Sequence, residues 1–226
     1  RDLLRGAGGD DGAAAAAAGG FDDELVAVPP PGAAPVSADE SIRPGTTLER
    51  LAGLAAVFGT DEMRARFPDI DWAVTTGNSS QITDGASVLL LMSEERAAAF
   101  GLRPRARIHA SAVVGDDPQL MLTGPIAATT KVLARAGLTL RDIDTVEVNE
   151  AFASVPLAWL AEHPYDEERL NPRGGAIALG HPLGASGARI MTSMLHHLEQ
   201  TGGRYGLQTI CEAGGMANAT ILERLG

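Results

Sequence analysis

Cysteine and lysine each occur once in this 226-residue chain, as Cys211 and Lys131. A single thiol excludes an intrachain disulfide framework and any zinc site built from several cysteines. A single amine leaves Schiff-base chemistry only Lys131 to work with; the rest of the basic complement is arginine. Aromatic residues make up only 4% of the chain, so its core must be aliphatic and rich in Ala and Gly, with closely packed backbones. Basic charge is also short, with 18 Lys+Arg against 29 Asp+Glu and a net charge of −11. That balance argues against a nucleic-acid partner or an anionic membrane partner, because both recruit basic surfaces. Long apolar runs are missing as well. The stretch 86–92 is far too short to span a bilayer, and Arg1, Asp2, Leu3, Leu4 and Arg5 do not form the apolar centre of a signal peptide. The expectation is a cytoplasmic protein with no metal site.

Hydrophobic residues at 45% and charged residues at 21% describe a globular chain able to bury a substantial core. Residues 1–47 stand apart. An alanine run at 13–18 lies between paired glycines, and Pro29, Pro30, Pro31 and Gly32 follow, a composition of loosely packed segments. Within it, 21–26 reads as a short strand. Thr47 is placed to cap a short helix carrying Leu48, Leu51 and Leu54. Further on, 73–75 reads as a strand and 84–92 as a buried helix or strand. Residues 107–114 read as a strand, and Pro125 opens a helix that Gly137 ends. A strand at 145–148 precedes a helix from 150 to about 163. A strand at 174–179 precedes a helix from about 185, with Ile190, Met191, Met194, Leu195 and Leu198 on one stripe. Strands at 207–210 and 217–222 close the chain. Alternation of this kind implies an α/β fold, a sheet with helices on both faces.

Three loops that follow strands hold the chemistry. They begin with Asn149, with Gly180 and His181, and with Cys211. The carboxyl ends of strands are where ligands bind in open α/β sheets. An amide, an imidazole and a thiol delivered there form an acyl-transfer set: a base, a proton shuttle and an orienting amide. Taken singly each has a plainer explanation. A lone Cys beside an apolar strand is usually a small buried hydrophobe, an Asn before a helix is usually a cap, and a His between Gly and Pro can be a turn residue. Their joint placement after successive strands favours function.

The stretch from Gly174 and Gly175 through Gly180, His181, Pro182, Leu183, Gly184, Ala185, Ser186 and Gly187 to Arg189 resembles the histidine signature of the thiolases (acetyl-CoA acyltransferases). Asn149, Glu150, Ala151 and Phe152 are similar to that family's NEAF motif. Cys211, Glu212, Ala213, Gly214, Gly215 and Met216 are similar to its C-terminal cysteine motif. Thr76 to Ser80, Asp84 to Ala86, and Leu122 to Pro125 match lesser segments, and the resemblance runs from about Phe21 to the end. It implies a thiolase-like fold with a mixed sheet. Residues 104–226 would be a C-terminal thiolase domain, 48–103 the end of the N-terminal half, and 1–47 a remnant of the loop domain. It also implies roles. His181 would activate the nucleophile and help form an oxyanion hole, and Asn149 would hold the water completing that hole. Cys211 would be the acid/base thiol. Ser80 would lie beside the pantetheine arm of CoA, Met121 and Phe152 would line the acyl pocket, and the Ala213 N–H would serve a second oxyanion hole. Ala213 replaces a usual glycine, so a left-handed backbone there would be strained. CoA enters as substrate and no cofactor is expected. Arginines rather than lysine are expected to meet its phosphates.

The family's nucleophilic cysteine aligns with no residue here. Either a partner chain supplies it, as in a hetero-oligomer with a thiolase N-terminal half, or the chain is part of a longer protein that assembles with copies of itself. The leading expectation is a thiolase part in fatty acid or sterol metabolism: thiolytic cleavage of 3-ketoacyl-CoA, or the reverse Claisen condensation. The alternatives are a thiolase-fold subunit that is not thiolytic (an aldolase partner or a scaffold) and an acyl-CoA binder.

Overall fold

The structure is a computed structural model that describes residues 10–36 and 38–226. The first nine residues of the segment read as loosely packed, and its Ser37, lie outside the described residues. Four strands form one mixed sheet: β1 (Ala106–Gly115), β2 (Thr145–Val148), β3 (Tyr205–Glu212) and β4 (Met216–Arg224). Their spatial order is β1-β4-β3-β2. β4 runs antiparallel to both β1 and β3, while β2 lies parallel to β3 with Val148 opposite Thr209. The hairpin from β3 to β4 turns through Gly214 and Gly215, at φ 85° and 84°, where a side chain would be strained.

Alternation along the strands sorts the two faces. Val146, Val148, Leu207, Ala219 and Ile221 are fully or almost fully buried in the main core. They lie under α5 (Gly124–Ala136), which supplies Ala128, Val132 and Leu133. Pro125 sits in its first turn, and Gly137 ends it in the left-handed conformation at φ 66°. Helix α6 (Ser154–Glu162) joins the same side, where buried Trp159 donates its indole N–H to Thr129 Oγ1 at 2.9 Å. The opposite face is covered by α8 (Ser186–Thr201), which packs on β3 and β2. Gly206 of β3 lets α8 approach closely, since a Cβ there would sit 2.7 Å from Met194 Sδ on α8 and push that side chain aside. The expected α/β mixed sheet with helices on both faces is thus what the chain forms.

Several elements differ from the sequence expectation. The alanine run forms α1 (Asp10–Ala17), as high alanine propensity favours. Phe21 is buried with Ala178 and Leu179 in a turn rather than in a strand. Thr47 does cap α2 (Leu48–Ala52), accepting from Arg50 N at 3.3 Å. Short helices α3 (Asp61–Arg66) and α4 (Glu94–Ala99) follow. Residues 73–75 form no strand beyond an isolated bridge between Ala56 and Thr75. The stretch 84–92 has no regular structure, and Val88 (89%), Leu90 (75%) and Leu91 (64%) are exposed. A strand needs a neighbour for its N–H and C=O groups, and none among the described residues lies beside this one. The helix placed at 150 starts at Ser154. Residues 174–179 form no strand either; α7 (Ala176–Leu179) is a single helical turn. Sheet pairing beyond β2 falls to an isolated parallel bridge between Val146 and Leu170.

Candidate functional site

Asn149 is the first residue after β2, and its N–H donates to Thr209 O of β3 at 3.0 Å. It is 2% exposed, and its Oδ1 is buried without a hydrogen-bond partner. Asn149 Nδ2 lies 3.4 Å from Nε2 of His181. His181 follows Gly180, whose φ of 85° turns the chain out of α7. A Cβ on Gly180 would collide with Thr83 Oγ1. The His181 N–H donates to Gln81 O at 3.0 Å.

The ring's protonation follows from its neighbours. Ser186 Oγ donates to Pro182 O at 3.0 Å, which uses its only proton. The 2.6 Å contact between His181 Nδ1 and Ser186 Oγ therefore has Nδ1–H as the donor. Nε2 is left as the basic lone pair, facing the Asn149 amide. Burial, and then the nearby Arg189 charge, hold the imidazole below its usual pKa. It is a neutral base at neutral pH.

Cys211 is the penultimate residue of β3, within the strand rather than in the loop after it, and lies opposite Ala217 of β4. It is partly buried and packs against the border of the main core. Burial, and then the Glu212 charge, push its thiol up, opposite to the depression that a thiolate base would need. Among the described residues no hydrogen bond joins Cys211 to His181 or Asn149. What links them is β3: Thr209, two residues before Cys211 and on its face of the sheet, anchors Asn149. A Cβ on Gly187, at the start of α8, would lie 3.7 Å from Ile210 Cδ1, beside Cys211.

The remaining expected residues fall into two groups. Ser80 and Phe152 stand with Asn149: Ser80 N donates to Ala151 O at 3.0 Å, Ser79 bridges Phe152, and Ala153 N donates to Asn78 O at 2.9 Å. The Phe152 ring meets Phe58 edge-on at 6.1 Å. Met121 and Ala213 belong to the Cys211 side. Asp116 N donates to Gly215 O at 2.6 Å, which docks the loop before α5 onto the β3–β4 hairpin. Met121, at φ 34°, carries backbone strain of the kind that clusters at functional sites. Ala213 carries none, since the left-handed conformations fall on Gly214 and Gly215; the strain expected for it is absent. An open cleft of about 380 Å³ between 83–87 and 182–185 adjoins the His181 turn, but none of these site residues lines it. Lys131 is engaged elsewhere, donating from Nζ to Val113 O at 2.8 Å.

Four further residues shape the site. Ser186 sets the tautomer. Gln81 reaches across from the Ser80 segment, its Nε2 donating to Ile177 O at 3.1 Å. Asn171 and Glu150 tie the end of β2 to α7. Ser186 and Glu150 stand inside the quoted motifs, a signal that could have flagged them; Gln81 and Asn171 carry no such local signal. Among the described residues no cluster of His, Cys, Asp or Glu could hold a metal ion, and no helix is long and apolar enough to cross a membrane.

A family model described as "Thiolase, C-terminal domain" matches residues 102–224, and one described as "Thiolase, N-terminal domain" matches 9–95. A steroid 3-ketoacyl-CoA thiolase of Mycobacterium tuberculosis is 52% identical over 193 residues, covering 85% of this chain and 44% of the relative. A 3-oxoadipyl-CoA/3-oxo-5,6-dehydrosuberyl-CoA thiolase of Escherichia coli is 48% identical over 192 residues, covering 84% and 45%. The crystal structure of the Bacillus anthracis acetyl-CoA acetyltransferase superposes with a TM-score of 0.88 at 38% identity, over 99% of this chain and 54% of that one. Human mitochondrial 3-ketoacyl-CoA thiolase in complex with CoA gives 0.85 at 36%, over 99% and 53%. The chain spans about half the length of the relatives it matches.

Proposed function

The chain belongs to the thiolase family, and from that premise we propose that it is the C-terminal share of an acyl-CoA C-acyltransferase. The observation that carries this reading is the His181 ring: half-buried, with its proton fixed on Nδ1 by Ser186 and its Nε2 lone pair beside Asn149. That is a general base with an orienting amide. In the proposed thiolysis His181 accepts the thiol proton of a cysteine from a first half, and the resulting thiolate attacks C3 of a 3-ketoacyl-CoA. The C2–C3 bond breaks, its electron pair goes to C2 of the departing acetyl-CoA, and Cys211 supplies the proton that C2 takes up. CoA then attacks the acyl-enzyme, with the Cys211 thiolate accepting its thiol proton, and the departing cysteine takes back the proton held by His181. The raised Cys211 thiol suits the donor role, because it arrives protonated. Asn149 Oδ1, buried and without a partner, suits a water that donates one proton to it and the other to a thioester oxygen.

CoA is the proposed substrate in a cytoplasmic oligomer. The base, amide and thiol all lie in 104–226, taken as the catalytic C-terminal domain. Residues 48–103 bring Ser80 to the CoA side as the end of a first half, and 1–47 are the loop-domain remnant. The test assembles the chain with a cysteine-containing thiolase first half. Cys211→Ala should leave acylation by acyl-CoA measurable and lower complete turnover by about 10²–10⁴-fold, the weight of a general acid–base group. His181→Ala should suppress acylation itself. Full thiolytic turnover by the Cys211 variant would sink the assignment.

A further inference from the structure

The Asn149–His181 contact joins two elements that approach from different directions, and one buried carboxylate ties them. Glu150 is 5% exposed. Its Oε1 accepts from Asn171 Nδ2 at 3.0 Å, and its Oε2 accepts from Ile177 N at 3.1 Å. On the β2 side, Asn171 is itself anchored. Its N–H donates to Val146 O at 2.9 Å, its Oδ1 accepts from Val148 N at 2.9 Å, and its Nδ2 also donates to Val148 O at 3.0 Å. The side chain thereby imitates a neighbouring strand for the residue just before Asn149, and its φ of 47° allows it to turn there. On the α7 side, Ile177 is the second residue of the turn that ends at Gly180 and delivers His181. Gly175 leaves room for this: a Cβ there would overlap the Glu150 carboxylate.

We propose that Glu150 is a positioning residue that holds Asn149 against the His181 ring, as a two-acceptor staple between the end of β2 and α7. Both of its partners are donors, an amide N–H₂ and a backbone N–H, so the site requires an acceptor on each oxygen. A glutamine would turn an N–H₂ toward one of these donors. An aspartate would be a methylene short of reaching both. Burying a carboxylate is costly and an apolar side chain would fill the space more cheaply, so the carboxylate answers to geometry rather than to stability.

The inference rests on His181 and Asn149 being the reacting pair. It is read on the ring itself, so its failure and a failure of acyl transfer are distinguishable. In the full chain, nitrogen NMR of the His181 ring at a pH where it is neutral reports the Nδ1–H to Nε2–H ratio. Glu150→Gln should release Asn149 from Nε2 and lower that ratio about tenfold, the equilibrium weight of one hydrogen bond. Asn171→Ala should move it in the same direction. A purely structural carboxylate would lower the unfolding temperature and leave the ring signals unchanged, and that result overturns the proposal. If the variants do not fold, the unaltered chain decides. Its Ile177 amide should exchange with solvent as slowly as the amides of β3, and exchange as fast as that of exposed α4 overturns the proposal.

Discussion

Ser186 determines which nitrogen of His181 carries the lone pair, through an ordinary hydroxyl whose one proton is already committed to Pro182 O. Ser186→Ala removes the acceptor for Nδ1–H and frees the ring to exchange tautomers. Acylation in the assembled enzyme should fall about tenfold with little change in substrate binding, which single-turnover measurement at saturating acyl-CoA would show. Cys211 offers a cleaner measurement, because no other thiol reports in this chain. Burial and Glu212 raise its pKa, and alkylation proceeds through the thiolate. Its rate against pH should therefore have a midpoint above that of an ordinary thiol, and a midpoint below it would contradict the proton-donor role.

At the scale of elements, α5 and α8 were readable from local signals. Pro125 and Gly137 bracket the first, and an aliphatic stripe marks the second. The strands at 107–114, 145–148, 207–210 and 217–222 were readable too, as short runs rich in apolar and β-branched residues that the structure pairs in one sheet. Residues 174–179 misled because a short apolar run has no decisive period. What makes it a helical turn is Glu150, 27 positions away, accepting from Ile177 N. The site divides in the same way. Asn149 and His181 stand in contiguous motifs, whereas Gln81 meets Ile177 across 96 positions, and no local pattern announces such a pair. The contact of α8 with β3 yields its own prediction. Gly206→Ala would press a methyl into Met194, so the chain should lose about 1–3 kcal/mol of stability in denaturant unfolding.

For the whole molecule, the polar layer under α8 makes stability depend on pH. Glu147 of β2 is buried and its pKa is raised to about 8; burial is the main cause, opposed by Arg189 and Arg173 and reinforced by Glu150 and Glu24. An acid raised in the folded state supports folding below its ordinary value of 4.5. That support is lost as pH rises through about 8. Glu147→Gln should therefore gain on the parent chain between about pH 5 and 9, by a relative shift on the order of 1–3 kcal/mol, read from unfolding at both pH values. The bare stretch at 84–92 acts on a different property, colloidal behaviour. From Ala86 to Met92 it holds neither charge nor proline, and Val88, Leu90 and Leu91 face solvent. That is the composition of segments that stack into cross-β ribbons. Asp84 on one side and Glu94 and Glu95 on the other stand as gatekeepers whose charges oppose such stacking. Leu90→Asp would carry that repulsion into the middle of the run. Light scattering of the chain on its own should then show aggregation delayed severalfold at an unchanged unfolding temperature, since a side chain already 75% exposed contributes little to the core.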